Sequence, residues 1–526
     1  TLGWTGRYEN MNNMRVSTNG GLVTENWFDL NASRYTASST LQRMELLKTG
    51  YMGTLSLGWD NYLFLELTGR QERSSTLKDQ SFFYPSANLS FLFSNAFRMP
   101  AWWNHGKLRL SYGVVGNAPE TYAANIIYEQ GSDNGFTWNY VPSSWGNANI
   151  RPEKKYEYEI GFESKFLNNR LGFDVSYYNN RVKDQILSTP QPSTSGVKYV
   201  LMNVGEVANE GWDISVSATP VLTKNFRWDL TANYGIYRNK VVKLADGVPY
   251  LEISNIGGGG AKIQAVEGRP MGDIYVQVPQ MNENGEYLVS DKGLYMNQTE
   301  LQRVGNINPD GVGGLFSSFS YKNIFLDFSI DFRIGGDVIN EMYQYSTASG
   351  LTPESLQFRD TEHGGLSYYY PGNNNASGVP VQVDPSLGAG PNGETVYHDG
   401  VILPGVVAST GEKNTRIIPA GYYYNQTYNW GTQPEQLTYR HSVFDNSYVK
   451  LRELTIGYQF PEKLISKLGM TRLSVSVFGR NLFYFYKALK NYDAESSVGT
   501  SWASQAVVGG STTATRNFGV SLRASF

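Results

Sequence analysis

The chain of 526 residues has no cysteine, only four histidines and a net charge of −3. Without cysteine there is neither a disulfide framework nor a thiolate metal site, which is compatible with an oxidising envelope compartment. His105, His363, His398 and His441 are scattered with no ligand spacing, so no histidine metal centre is expected, and no cofactor motif is apparent. Charge near neutrality removes the polybasic signature of a nucleic-acid partner. Nothing approaches the roughly 18 consecutive apolar residues of a transmembrane helix, which excludes a helical membrane protein.

What the chain does have is aromatics, led by 37 Tyr, and a repeated alternation of apolar and polar residues. In the last segment Phe518, Val520, Leu522, Ala524 and Phe526 fall on one side of the pleat, and Asn517, Gly519, Ser521, Arg523 and Ser525 on the other. The same pattern sets Leu63, Leu65 and Leu67 against Glu66, Thr68 and Arg70, and Tyr156, Tyr158, Ile160 and Phe162 against Glu157, Glu159 and Glu163. It recurs with Leu171, Phe173 and Val175 against Asp174 and Ser176, and with Leu326, Phe328, Ile330 and Phe332 against Asp327, Ser329, Asp331 and Arg333. A sandwich core would reject the charges, whereas a water-filled lumen accepts them. About fourteen such strands are predicted. Only a closed sheet leaves no backbone group unpaired in lipid, so the fold class is all-β, a transmembrane antiparallel β-barrel in contact with the lipid bilayer.

Connections alternate in length. Asp60-Asn61, Asn168-Asn169, Lys224-Asn225 and Lys322-Asn323 are tight turn pairs, while 94–107 and 461–471 have room for a helical turn each. Long segments are expected at 9–45, 118–152, 188–205, 243–311, 336–446 and 486–513, with short turns periplasmic and long loops extracellular. Thr1 is not a start residue and no export signal precedes the first strand, so the chain reads as a processed or truncated piece of a longer protein.

The long segments carry aromatic clusters: Trp138 and Trp145, Tyr368, Tyr369 and Tyr370, Tyr422, Tyr423 and Tyr424, and Trp430. Aromatic faces stack on sugar rings and pack equally well against a partner protein, so these residues are the candidate substrate or lid contacts; packing of the loops on themselves is the bland alternative. Gly257 to Gly260 invites a phosphate-loop reading, but no Lys-Ser or Lys-Thr follows, and a loop is expected. No Ser/His/Asp arrangement appears, so no catalytic residue is assigned and no enzyme is expected.

Several stretches resemble the SusC family, TonB-dependent outer-membrane transporters of Bacteroidetes. Residues 446–461 (NSYVKLRELTIGYQFP) resemble its penultimate-hairpin signature, and 477–483 (VFGRNLF) its "GxNLF" strand. Residues 203–212 (NVGEVANEGW), 83–90 (FYPSANLS), 108–117 (LRLSYGVVGN) and 305–309 (GNINP) are similar to further family motifs, although Ser90 stands where the family usually has glycine. The resemblance runs in family order from about residue 50 to the end. It implies that residues 1–526 are the C-terminal portion of a barrel of about 22 strands, with the plug and TonB box absent from this chain. It implies active import of oligosaccharides or peptides, with a SusD-like lipoprotein lid, TonB acting through the plug, and possible pairing into a dimer of transporter–lid pairs. A passive porin-like or adhesin-type barrel is the alternative, and composition leans slightly toward glycans.

Overall fold

Successive strands in the computed structural model zigzag along the chain; tight turns recur at one strand end, and the longest connections, 118–152, 244–310, 335–447 and 488–516, fall at the other. The structure describes every residue except 78, 79, 134, 135, 193, 195, 430, 432, 437 and 511–513, and the side chains of 132, 133 and 190. It divides into two units, Thr1–Ile214 with Asn239–Pro249, and Ser215–Arg238 with Tyr250–Phe526.

The first unit contains β1 (Leu2–Leu22), β2 (Ser33–Trp59), β3 (Leu63–Ser74), β4 (Ser81–Phe91), β5 (Trp103–Asn117), β6 (Glu153–Phe166) and β7 (Leu171–Pro190). Two strands, β8 (Tyr199–Leu222) and β9 (Phe226–Lys243), run on into the second unit at their shared turn. That unit continues with β10 (Gly311–Tyr321), β11 (Ile324–Ile334), β12 (Tyr448–Gln459), β13 (Arg472–Lys487) and β14 (Asn517–Ser525). Within each unit consecutive strands are hydrogen-bonded neighbours. Their registers are long and antiparallel, as from Leu171↔Phe166 to Lys183↔Lys154 or from Gly311↔Ile334 to Tyr321↔Ile324.

The turn chemistry explains the reversals. Asp60 and Asn61 have φ of 46° and 55°, and Tyr62 N–H donates to Trp59 C=O at 3.1 Å, a two-residue turn with both central residues left-handed. Asn168 and Asn169 at 58° and 62° serve β6 to β7, and Lys322 at 52° serves β10 to β11. The two roomier reversals hold Phe93–Ala96 and Glu462–Ile465 as single helical turns, as their lengths suggested.

The apolar face of the strands points outward. Ile160 is 47 % exposed, Ile456 54 %, Val477 59 % and Val520 71 %, while Ser176, Asn180, Lys450 and Ser474 on the opposite face are buried. A water-soluble protein would reverse this arrangement; a wall between lipid and an aqueous interior requires it. Among the described residues no helix is long and apolar enough to cross a membrane. The all-β fold class expected from the sequence therefore stands, and its large sheet is antiparallel.

The segment 9–45, expected as a long loop, is mostly ribbon. Strands β1 and β2 pair from Leu2↔Gly53 to Leu22↔Ser33, leaving only 23–32 as the connection. At 21 and 27 residues they exceed the roughly 9–11 residues that span a bilayer, so much of this hairpin lies beyond it.

Candidate functional site

The wall charges are tied together. Glu163 and Asp174 lie directly opposite each other across β6 and β7, a like-charge pairing that is unfavourable by itself. Arg109 on β5 relieves it, reaching Asp174 at 2.6 Å, Glu163 at 3.4 Å and the Ser176 hydroxyl at 3.2 Å. Further along, Asn209 donates to Asn180, which donates to Glu157 at 3.1 Å. Carboxylates that read as solvated wall charges are thus members of a cross-strand ladder.

The stretches that resemble family motifs hold connections onto strands. Asn203 accepts from Arg151 N–H and donates to Arg151 and Asp184 carbonyls, all at 2.8 Å, pinning the end of segment 118–152 to β7 and β8. Asn306 and Asn308 both donate to Met271 C=O, and Asn306 also reaches Asp273 at 2.9 Å.

The densest cluster lies on β12. Register shifts between Ser329/Ile330 on one side and Leu451/Glu453 on the other leave Arg452 as a bulge residue. A bulge re-aims a side chain, and here Arg452 bonds Asp331 through Nε at 3.2 Å, Asn481 at 2.8 Å and Glu495 at 2.5 Å. Lys450, with 3 % of its side chain exposed, also pairs with Glu495 and donates to Tyr484. Tyr484 donates to Asp493 at 2.5 Å. Burial alone favours the neutral acid at Glu495, yet hydrogen bonds from Arg452 and Lys450 hold its carboxyl below the usual range. The segment after β13 is therefore latched to the polar face of the wall. Lys450 and Arg452 fall inside the quoted motif at 446–461; Glu495, 45 residues on from Lys450, carried no local signal.

In the second unit the long connections fold into a body with its own core. Four strands, Tyr250–Ile256, Ala261–Val266, Asp273–Val276 and Gln302–Asn306, form one small sheet; Leu366–Tyr369 heads another with Val381–Gln382, Val396–Val401 and Ile418–Pro419. Asp337–Asn340 pairs with both Val443–Asp445 and Val507–Val508. Ile263, Ile274, Ile339, Tyr439 and Val507 meet in one core, so the second unit's connections 250–310, 336–446 and 486–510 are joined through it among the described residues. The glycines at 257–259 form a single 3₁₀ turn that leads into a strand and not into an α-helix, and Gly257, at φ 57°, is where the Tyr439 hydroxyl approaches: a Cβ there would lie 1.8 Å from it.

The candidate aromatics are placed as follows. Tyr368 is 2 % exposed, stacked on Tyr397 with centroids 5.5 Å apart, and its hydroxyl donates to Asp399 at 3.0 Å; burial and Asp399 push its phenol up. Tyr370 meets Tyr368 edge-on, and Tyr369 is half-buried. Tyr424 is buried on helix Ala420–Tyr428, donates to Glu354 C=O at 2.8 Å, and is pushed up to about 12, chiefly by burial. Tyr422 and Tyr423 pack partly buried against Leu294, Val401, Leu403 and Ile418. Trp138 remains 48 % exposed, lying across Gly131 on a hairpin, and Trp145 is half-buried near Tyr128. Trp430 lies outside the described residues. The structure places the candidate tyrosines in the second unit's loop body and Trp138 and Trp145 in the first unit. A cleft of about 670 Å³ opens in the loop body beside Tyr397, Tyr424, Arg359 and Asp399.

An outward apolar face, a charged inner face and turn-versus-loop asymmetry define the wall of an outer-membrane β-barrel. Residues 2–274 match the family model described as TonB dependent receptor-like, beta-barrel, and the chain belongs to that family. SusC-like receptors are its homologues. TonB-dependent receptor P3 of Formosa agariphila is 22 % identical over 494 residues, covering 85 % of this chain and 42 % of that protein. TonB-dependent receptor SusC of Bacteroides thetaiotaomicron is 27 % identical over 256 residues, covering 43 % of this chain and 24 % of that one. A solved structure of the RagAB peptide transporter shares the fold at a TM-score of 0.70 and 18 % identity, over 99 % of this chain and 53 % of that one. The chain spans about half the length of these relatives or less. Its place is the outer membrane.

Proposed function

We propose that this chain is the wall and outer-loop portion of an active importer of oligosaccharides or peptides, powered through TonB and covered by a SusD-like lipoprotein lid. The observation that carries the reading is the family match, which runs through β1 to β9, where Ile160 marks the outward apolar face. The packed loop body supports it, since a rigid outer surface offers a partner protein a preformed face. The long segments face outside and the tight turns face the periplasm. No step of bond chemistry is assigned to any residue; the work is binding, passage and release.

The test is uptake of labelled oligosaccharide and peptide by cells carrying the whole transporter, with and without functional TonB. Uptake lost without TonB supports the importer; uptake that continues unchanged would make the barrel a passive pore. Native purification in mild detergent checks the lid, and a transporter that never brings a lipoprotein with it removes that partner.

A further inference from the structure

The cleft beside helix Ala420–Tyr428 presents two opposite charges that are not paired with each other. Arg359 lines it with its guanidinium fixed by backbone: Nε donates to Ser355 C=O at 3.0 Å and Nη2 to Gly350 C=O at 2.6 Å. Among the described residues no carboxylate forms an ion pair with it. Asp399 lines the same cleft, and its Oδ1 accepts from the buried Tyr368 hydroxyl at 3.0 Å. No described cation pairs with Asp399 either. Asp360 is a third charge at the rim, already engaged with His363 Nδ1 at 2.7 Å.

Resting on the import reading above, we propose that this cleft is a docking subsite for a short zwitterionic peptide, its carboxylate end taken by Arg359 and its ammonium end by Asp399. Both groups are held by contacts that use only part of their hydrogen-bonding capacity. The Arg359 Nη1 donors and the second Asp399 oxygen remain for a ligand, and neither side chain has to be ordered on binding. Tyr397, stacked on Tyr368, supplies an aromatic wall for a side chain between the two ends. The volume lies in the range of sites for ligands of drug size, enough for roughly three residues. A neutral sugar would match neither charge. Its hydroxyls could hydrogen-bond to both groups but would neutralise neither charge, so the site favours the zwitterion over it.

The experiment is calorimetric titration of the purified full-length transporter with trialanine, with its N-acetylated and C-amidated forms, and with a neutral trisaccharide. Trialanine is expected to bind, each capped form at least tenfold more weakly, and the trisaccharide without measurable heat at the same concentrations. In R359Q the free and amidated peptides should become equal, and in D399N the free and acetylated ones. Capped and free peptides binding the unaltered protein equally would overturn the proposal, whatever the variants do to folding. So would trisaccharide binding that R359Q weakens. TonB-dependent uptake unchanged in R359Q, with no capping effect in vitro, would refute the subsite and leave import standing. Uptake independent of TonB, with the capping effect intact, would refute import and leave the subsite standing.

Discussion

The strand wall and the loop body obey opposite burial rules within one polypeptide. On the wall Ile160 and Val520 face outward while Lys450 and Asn180 are covered; in the loop body Ile263 and Ile274 are fully buried. The same isoleucine is a surface residue in one and a core residue in the other because the solvents differ. Lipid does not penalise an exposed aliphatic side chain, and water does. The wall therefore needs its polar face satisfied internally, which the Arg109 and Arg452 ladders do. The loop body needs a dry core, which it assembles from segments far apart in sequence.

An Ile→Arg exchange in each region is the sharpest way to break this comparison. Ile263→Arg places an unpaired charge in a closed core and is expected to cost about 5 kcal/mol or more, unfolding the loop body in detergent and in lipid alike. Hydrogen exchange over 250–308 reads it, and full protection there would show that this body is not held by its core. Next comes Glu495→Gln. It leaves Lys450 covered without its carboxylate, and a broken buried pair costs about 3–5 kcal/mol, so 488–500 should exchange freely while β12 and β13 stay protected. An unchanged exchange pattern would mean that the segment is held by packing of Leu489 instead.

Ile160→Arg, on the outward face, should cost about 2–4 kcal/mol near the bilayer midplane and far less in detergent, read as folding yield into vesicles. Equal cost in both media would mean that this face does not meet lipid. Paired with Ile263→Arg, it separates the two solvents in one protein.

How far the sequence revealed each region follows from the same physics. Period-two contrast exists only where one face meets lipid, so β6, β7, β11 and β14 are legible residue by residue. Where β1 and β2 run beyond the bilayer both faces meet water, as at Asn10, Asn12 and Asn13, and strand and loop look alike in composition; that is why 9–45 read as a loop. Turn pairs were legible because left-handed φ selects Asn and Asp. The loop body was not. Its core joins Ile263, Ile339 and Val507, each on a strand too short to show a period. The tyrosine clusters stood out in the sequence, but whether a ring faces a ligand or a neighbour depends on contacts such as Tyr368 on Tyr397. Arg359 and Asp399 carried no pattern, because their meaning lies in what fails to pair with them.

The most selective effect, confined to acid in the unaltered protein, concerns Asp273. Its side chain is fully buried in the loop body, bonded to Arg269 at 2.6 Å and Arg303 at 2.8 Å. Burial by itself would raise its pKa, but hydrogen bonds from Arg303, Asn306 and Arg269 outweigh it and hold the carboxyl below its ordinary value. A folded-state pKa below the unfolded one contributes stability that is fully present above the ordinary carboxylate range and is lost as pH falls through the folded value. The Asp273 cluster should accordingly be indifferent to pH from 8 down to about 5 and loosen only in stronger acid. Asp273→Asn should remove that acid step at the expense of lower stability at neutral pH, where both arginines lose their carboxylate. Exchange protection over 261–276, followed against pH in both proteins, decides it. An acid step that persists in Asp273→Asn would assign the sensitivity to other carboxylates and uncouple this cluster from the core above it.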